Sequence, residues 1–378
     1  MGRSSVGNTL AWALFLAVSW TWCIGMHLPN LLARDGGFPF FLAFFVPNVL
    51  GAASVGYVLR TRDRSVSFVR AMRVPMLVFS AVTVAFQAYF LAWKMTEDLR
   101  FGVLHLPAGV AFGSMLVAVA ALLRSRIDWI PALLAAICSI VAGVLLVSQP
   151  RAIEASEPLV ALLGLSMVTT LGFGLCPYLD LSFNRAVQHA KSPPAAFGVG
   201  FMMFMAIILL VTRGRMIWSP AEAPFEMGID WVFGAIGLHY GAQVTFTVLA
   251  HTAALYVTRP DGTITGLDEE TDARAPGRPR LRTWIVFPIA AGLALGAGVA
   301  FAPETNLPGF TSPIEAGELG YRLLLGSYGL LFPVWMLMGL GRPSATDRAT
   351  IAWTLAVCAL SGPFLWVGAV GRDEVWLI

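Results

Sequence analysis

Asp180, His27 and Thr245 are the residues of this chain whose type and position suit ion or proton chemistry. Each lies in or beside an apolar stretch long enough to cross a bilayer. A carboxylate inside a membrane is costly and marks an ion path, a proton relay or a partnered charge. Asp180 follows Pro177 by about one helical turn. Two readings of it stand side by side: it binds a cation or proton, or it pairs with Arg185 or Lys191 and holds its helix. An imidazole at His27 can donate to a substrate carboxylate or carry a proton. His239 and His251 lie about three turns apart on one span, too far for one metal site. HExxH, GxSxG, a paired-aspartate metal motif and a cysteine–histidine cluster of zinc spacing are all missing from the sequence, so the chain is not expected to be an enzyme.

The elements that must position these groups are two interrupted helices. The first reads Cys23-Ile24-Gly25-Met26-His27-Leu28-Pro29, the second Gly172-Phe173-Gly174-Leu175-Cys176-Pro177-Tyr178-Leu179-Asp180. Each puts glycine and then proline mid-way through an apolar span. Proline removes a donor and clashes with the preceding turn, so unwinding is expected at 24–29 and 172–177. Opened backbone in a membrane survives only where protein or a water-filled cavity satisfies it. Matching interruptions in two halves of a chain point to a transporter substrate site. Carbonyls near Cys23 and Met26 would then suit a hard cation, and amides at the start of each second half-helix would suit an anion. Trp22, Gly25, His27, Phe173, Gly174, Tyr178, Asp180 and Tyr240 are the candidate substrate-binding residues, the aromatics as walls for an organic solute.

The composition agrees. The chain is 57% hydrophobic and only 12% charged, with mean hydropathy +0.73, against roughly 25% charged residues in soluble domains. This is an all-α polytopic membrane protein in expectation. Eleven spans are read, at 8–33, 38–59, 74–95, 106–123, 129–148, 158–186, 195–212, 230–257, 283–302, 317–340 and 349–370. An N-terminus in the cytoplasm puts 17 of the 25 basic residues on the inner side, which fixes the expected orientation and leaves the C-terminus outside. The plasma (inner) membrane is the expected location. Basic residues are scattered over short loops, so nucleic acid is not an expected partner. Cys23, Cys138, Cys176 and Cys358 all fall in spans and form no disulfide framework. The polar segment 258–282 reads as a flexible linker.

Span 1 and span 6 run in opposite directions, five spans apart. Residues 1–148 (helices 1–5) and 158–340 (helices 6–10) therefore form a five-plus-five inverted repeat, with 349–370 as an accessory helix. This arrangement, with Gly36-Gly37-Phe38-Pro39-Phe40 and then Val46-Pro47 after the first break, resembles the LeuT fold of the amino acid–polyamine–cation superfamily. Its sodium:solute and neurotransmitter:sodium symporter branches are the most similar. The resemblance implies a secondary active transporter moving a small polar organic solute by alternating access, coupled to Na⁺ or H⁺, with no other cofactor. It also implies a sodium site between the first break and helix 8, formed here by Cys23, Met26, Ala242 and Thr245. Phe246 stands where that pattern has a hydroxyl, and Thr247 is turned about 200° from Thr245. The alternatives are a non-transporting subunit or sensor on the same frame, and an intramembrane lipid-modifying enzyme.

Overall fold

The computed structural model describes residues 5–100, 102, 104–124, 129–147, 159–216, 230–265, 282–304, 314–342 and 344–365. The described chain is a bundle of helices, and its one extended pairing is a single antiparallel bridge between Thr258 and Ile264. In order they are α1 (Ser5–Ser19), α2 (Cys23–Val58), α3 (Arg62–Ala71), α4 (Arg73–Arg100), α5 (His105–Arg124), α6 (Trp129–Val147), α7 (Leu159–Leu175), α8 (Leu181–His189), α9 (Pro193–Met216), α10 (Asp230–Val257), α11 (Phe287–Val299), α12 (Ala316–Gly326), α13 (Phe332–Gly339) and α14 (Arg348–Leu365). A four-residue 3₁₀ turn, Cys176–Leu179, joins α7 to α8. π-helical turns precede α11 at Arg282–Val286 and join α12 to α13 at Ser327–Leu331.

Seven of the described helices are long and apolar enough to cross a membrane, and three shorter apolar helices accompany them. The protein is thus read as an all-α, multi-pass membrane protein. The 36-residue α2 holds two expected spans. They part at Gly36 and Gly37, where Gly37 has φ 71°, a backbone that glycine adopts without penalty. Its first half runs over 23–35 and its second over 38–58.

Helices approach closely where glycine removes the side chain. A Cβ at Gly113 of α5 would lie 2.9 Å from the Ala242 amide nitrogen of α10, and one at Gly241 of α10 would lie 2.8 Å from Val110 Cα of α5. A Cβ at Gly296 of α11 would lie 2.9 Å from the Trp93 amide nitrogen of α4. Gly109/Gly113 and Gly292/Gly296 are both small-xxx-small pairs, which let membrane helices meet at the backbone. α5 packs on α10, and α11 packs on α4. In the same way α9 packs on α1 and on α2, while α7 packs on α2.

Candidate functional site

Both expected breaks exist; the first lies ahead of its glycine and proline, and the second overlaps the expected 172–177 only at Cys176 and Pro177. The backbone is helical through 24–29, and the first interruption is Trp20–Thr21–Trp22. Pro29 deletes one hydrogen bond inside a helix held on all sides by the core, so the helix passes through it. The true opening is built by side chains. Each of the last four carbonyls of α1 finds a donor: Leu16 O takes Trp20 N and Ser19 Oγ, Ala17 O takes Thr21 Oγ1, Val18 O takes Thr21 N, and Ser19 O takes the Trp22 indole. That satisfies the orphan acceptors of a helix end within the bundle. Trp20 is tied across to Asn48 of α2 at 2.6 Å. Gly172 and Gly174 likewise stay helical, and the second interruption is 176–180. There Pro177 starts the 3₁₀ turn and Asp180, in extended backbone, starts α8.

The two interruptions face one small cavity. Its lining includes Trp22, Gly25, Asn48, Phe173, Cys176 and Tyr328, and its volume is about 10 Å³, about what a single water needs. Trp22, Gly25 and Phe173 are thus brought together as expected. Gly174 is not with them; the space beside its Cα is open. Tyr178 donates to Ser54 at 2.9 Å beside Phe68. His27 and Tyr240 form another layer, both against Phe90, with His27 also edge-on to Tyr321 and Trp93. Tyr328, Phe86 and Tyr321 join that layer to the cavity as a run of ring contacts.

Two of the expected sodium ligands already carry hydrogen bonds. The Cys23 carbonyl accepts from the Tyr321 hydroxyl at 3.0 Å and the Met26 carbonyl from Asn30 at 3.0 Å. Ala242 is buried, but Thr245 is part-exposed. The buried hydroxyl of this helix is Thr247, whose Oγ1 has no hydrogen-bond partner. Among the described residues no group of three or more His, Cys, Asp or Glu could hold a metal ion.

Asp180 is fully buried and does two things. Its Oδ1 accepts from Ser182 N at 2.6 Å and Phe183 N at 3.4 Å, capping α8. Its Oδ2 lies 3.7 Å from His251 Nε2 of α10. The expected partners Arg185 and Lys191 are elsewhere: the Arg185 guanidinium lies over Trp12 and Phe15, and the Lys191 backbone amide meets Asn8. The cap was legible, since an aspartate directly before an amphipathic helix is a start signal. The His251 contact was not, because it joins helices far apart in sequence.

Both ends of the bundle are closed by polar contacts. At one end Arg34 holds Glu318 through two hydrogen bonds of 3.0 and 3.2 Å, and Arg322 holds Glu318 at 2.9 Å and Asp35 at 2.6 Å. Sequence reasoning missed this network, although Glu318 and Arg322 are an i,i+4 pair inside an apolar span. Near it lies a 200 Å³ pocket lined by Trp93, Glu97, Arg100, Glu304 and Glu315 among others. At the other end the segment after α10 folds back. Gln188 of α8 receives Ile264 N at 2.8 Å and donates to Gly262 O at 3.1 Å, His189 meets Ile264 O at 2.6 Å, and Arg70 donates to Asp261 O. Gly262, with φ 88°, sits against the α3 backbone, where a Cβ would lie 2.9 Å from Arg70 N. So 258–265 is a clasp, not the linker expected; 266–281 lie outside the described residues.

No known family model and no curated protein matches this chain.

Proposed function

We propose that this chain is a secondary active transporter that moves a small polar organic solute across the plasma membrane by alternating access, using a proton or Na⁺ gradient. The observation that carries the reading is the pair of interrupted helices facing one buried cavity. Opened backbone in a membrane survives where protein or a water-filled cavity satisfies it, and paired interruptions of this kind mark transporter substrate sites. A LeuT-type five-plus-five inverted repeat accounts for the packing. Exchange of spans 3 (α4) and 8 (α10), and of spans 4 (α5) and 9 (α11), relates the α5–α10 contact to the α11–α4 contact, and each contact has a Gly-xxx-Gly pair, on α5 and on α11. In this reading α14 is the accessory eleventh helix.

The Arg34–Glu318 network and the 258–265 clasp then close the two ends of the pathway. Arg60, Arg62, Arg64, Arg70 and Arg73 lie at the clasp end, which makes it cytoplasmic by the excess of basic residues, with the N-terminus inside. One observation favours a non-transporting sensor: Phe246, where a hydroxyl was expected, packs on Phe15. A panel of amino acids, sugars, nucleobases and vitamins, tested by thermal shift in Na⁺ and in choline and then by uptake into proteoliposomes, separates the two. Saturable stabilisation with uptake is the expected result. Stabilisation without uptake under any imposed gradient gives the sensor.

A further inference from the structure

We propose that Asp180 and His251 form the proton-binding site of this protein, the closed conformation holding one proton on Asp180 Oδ2, directed at His251 Nε2; this deepens the transporter reading and rests on it for its role in coupling. Both side chains have no solvent exposure, and the atoms are 3.7 Å apart. Neither Asp180 Oδ2 nor either ring nitrogen of His251 has a hydrogen-bond partner. With one proton shared between them, the pair is either an ion pair or an acid facing a neutral imidazole, and each form leaves one ring N–H without a partner. The neutral form is favoured because it avoids burying two separate charges at 3.7 Å. Oδ1 remains the helix cap in either state.

Among the described residues His251 is the charge partner of Asp180. Tyr328 also feels Asp180, and in turn Cys176 and Cys23. Cys176 and Tyr328 are both engaged: the Cys176 thiol donates to Tyr328 O, and Tyr328 OH bonds Thr83 of α4. From α4, Phe79 faces the His251 ring. Arg185, on the same helix as the cap, turns to Trp12 and Phe15. Trp22, a wall of the cavity, has its ring 5.4 Å from that of His251, and its indole is fixed on Ser19 O. The pair thus lies directly behind the first interruption and at the end of the second.

This placement couples a proton to closure. Loaded, the pair is neutral and tolerates full burial. When the proton leaves Asp180 for water, one negative charge remains in the bundle, and an uncompensated buried charge resists closure. Only the loaded protein passes through the closed state, so proton movement and opening are tied.

Infrared titration of the full-length protein in phosphatidylethanolamine–phosphatidylglycerol vesicles reads the site without any solute. The expected result is a protonated-carboxyl band at neutral pH that disappears in Asp180→Asn and changes frequency in Asp180→Glu. Asparagine caps a helix as well as aspartate, so the first variant keeps the fold. In His251→Gln the midpoint of that band is displaced by about one pH unit or more, tenfold in proton affinity. A band that survives Asp180→Asn, no band at neutral pH, or an unchanged midpoint in His251→Gln overturns the assignment. The two readings fail separately. With the expected band but no uptake of any panel solute, the proton site stands and transport falls; with uptake but no Asp180-dependent band, transport stands and the site falls.

Discussion

Two glycines near the second interruption make opposite predictions. Gly51 of α2 faces the backbone of α7: a Cβ there would lie 2.8 Å from the Phe173 carbonyl carbon and 2.9 Å from Gly174 Cα, with the Phe173 oxygen nearer still, and real Cβ contacts essentially never fall under 3.0 Å. Backbone cannot rotate aside, so Gly51→Ala must part α2 from α7 by about 1 Å, an overpacking cost of about 1–3 kcal/mol. Gly174 has nothing within 4 Å of its built Cβ and lies in a regular helix. Gly174→Ala should therefore stabilise by about 0.5–1 kcal/mol through reduced backbone freedom. Equilibrium unfolding in mixed detergent–SDS micelles measures both, with circular dichroism as the probe. The two variants should move the midpoint in opposite directions. A Gly174→Ala protein destabilised by more than about 1 kcal/mol, or a neutral Gly51→Ala, would refute the reasoning, since it would mean that the chain opens at 172–174 after all.

Glu318→Gln should lower stability by about 1–3 kcal/mol in the same assay. It leaves Arg322 beside Asp35 alone, while Arg34, whose side chain is 48% exposed, is partly rescued by water. Gln188→Ala removes two bonds to the clasp, at about 1 kcal/mol each. Hydrogen exchange at Ile264 and Thr265 should then quicken by roughly tenfold or more, and wild-type protection in that variant would dissociate Gln188 from the clasp. Asp261 is held below the usual carboxylate range by the Thr263 hydroxyl and amide. Its contribution to the clasp is complete above the unfolded value of about 3.9 and is lost as pH falls through the lower folded value. Exchange at Thr263 should rise at acid pH in the wild type and be pH-insensitive, after correction for intrinsic rates, in Asp261→Asn.

The membrane class was legible because apolar run length sets it directly. The existence of two interruptions was legible from Gly and Pro; of their positions, only the start of the second, at Pro177, was. Glycine and proline report only a lowered helical preference, whereas the openings are fixed by what satisfies the freed backbone. At the first, that is Ser19, Thr21 and the Trp22 indole. At the second, it is Asp180 as cap and Asn184, which donates to the carbonyls of Tyr178 and Asp180. Thr245 was read from a spacing implied by a resemblance; burial, which that spacing does not report, differs between the two hydroxyls of α10, with Thr245 part-exposed and Thr247 buried. The glycine pairs of α5 and α11 were readable as small-xxx-small motifs; their partners were not, since no local signal in α4 or α10 names the helix that will lie on it. The Arg34–Glu318 and Asp180–His251 contacts share that difficulty.

The two interruptions differ in polarity, and this selects among solutes within the transporter reading. At the second, the free amides that begin α8 are already covered by Asp180, so that helix end has little left to offer an anion. At the first, Trp22 supplies no side-chain cap, and Gln87 of α4 takes only Cys23 N, at 3.2 Å. The amides of Ile24 and Gly25 have no intrahelical acceptor, and both residues line the cavity. The positive end of the 23–35 half-helix is thus the pole that remains for a ligand, and it favours a carboxylate. Solutes bearing a small carboxylate should raise the melting temperature, the stabilisation reaching about 2.7 kcal/mol at one hundred times the dissociation constant. Their decarboxylated amine analogues should not. Equal stabilisation by an amine and its parent acid would show that the amides of the first half-helix are not what the solute meets.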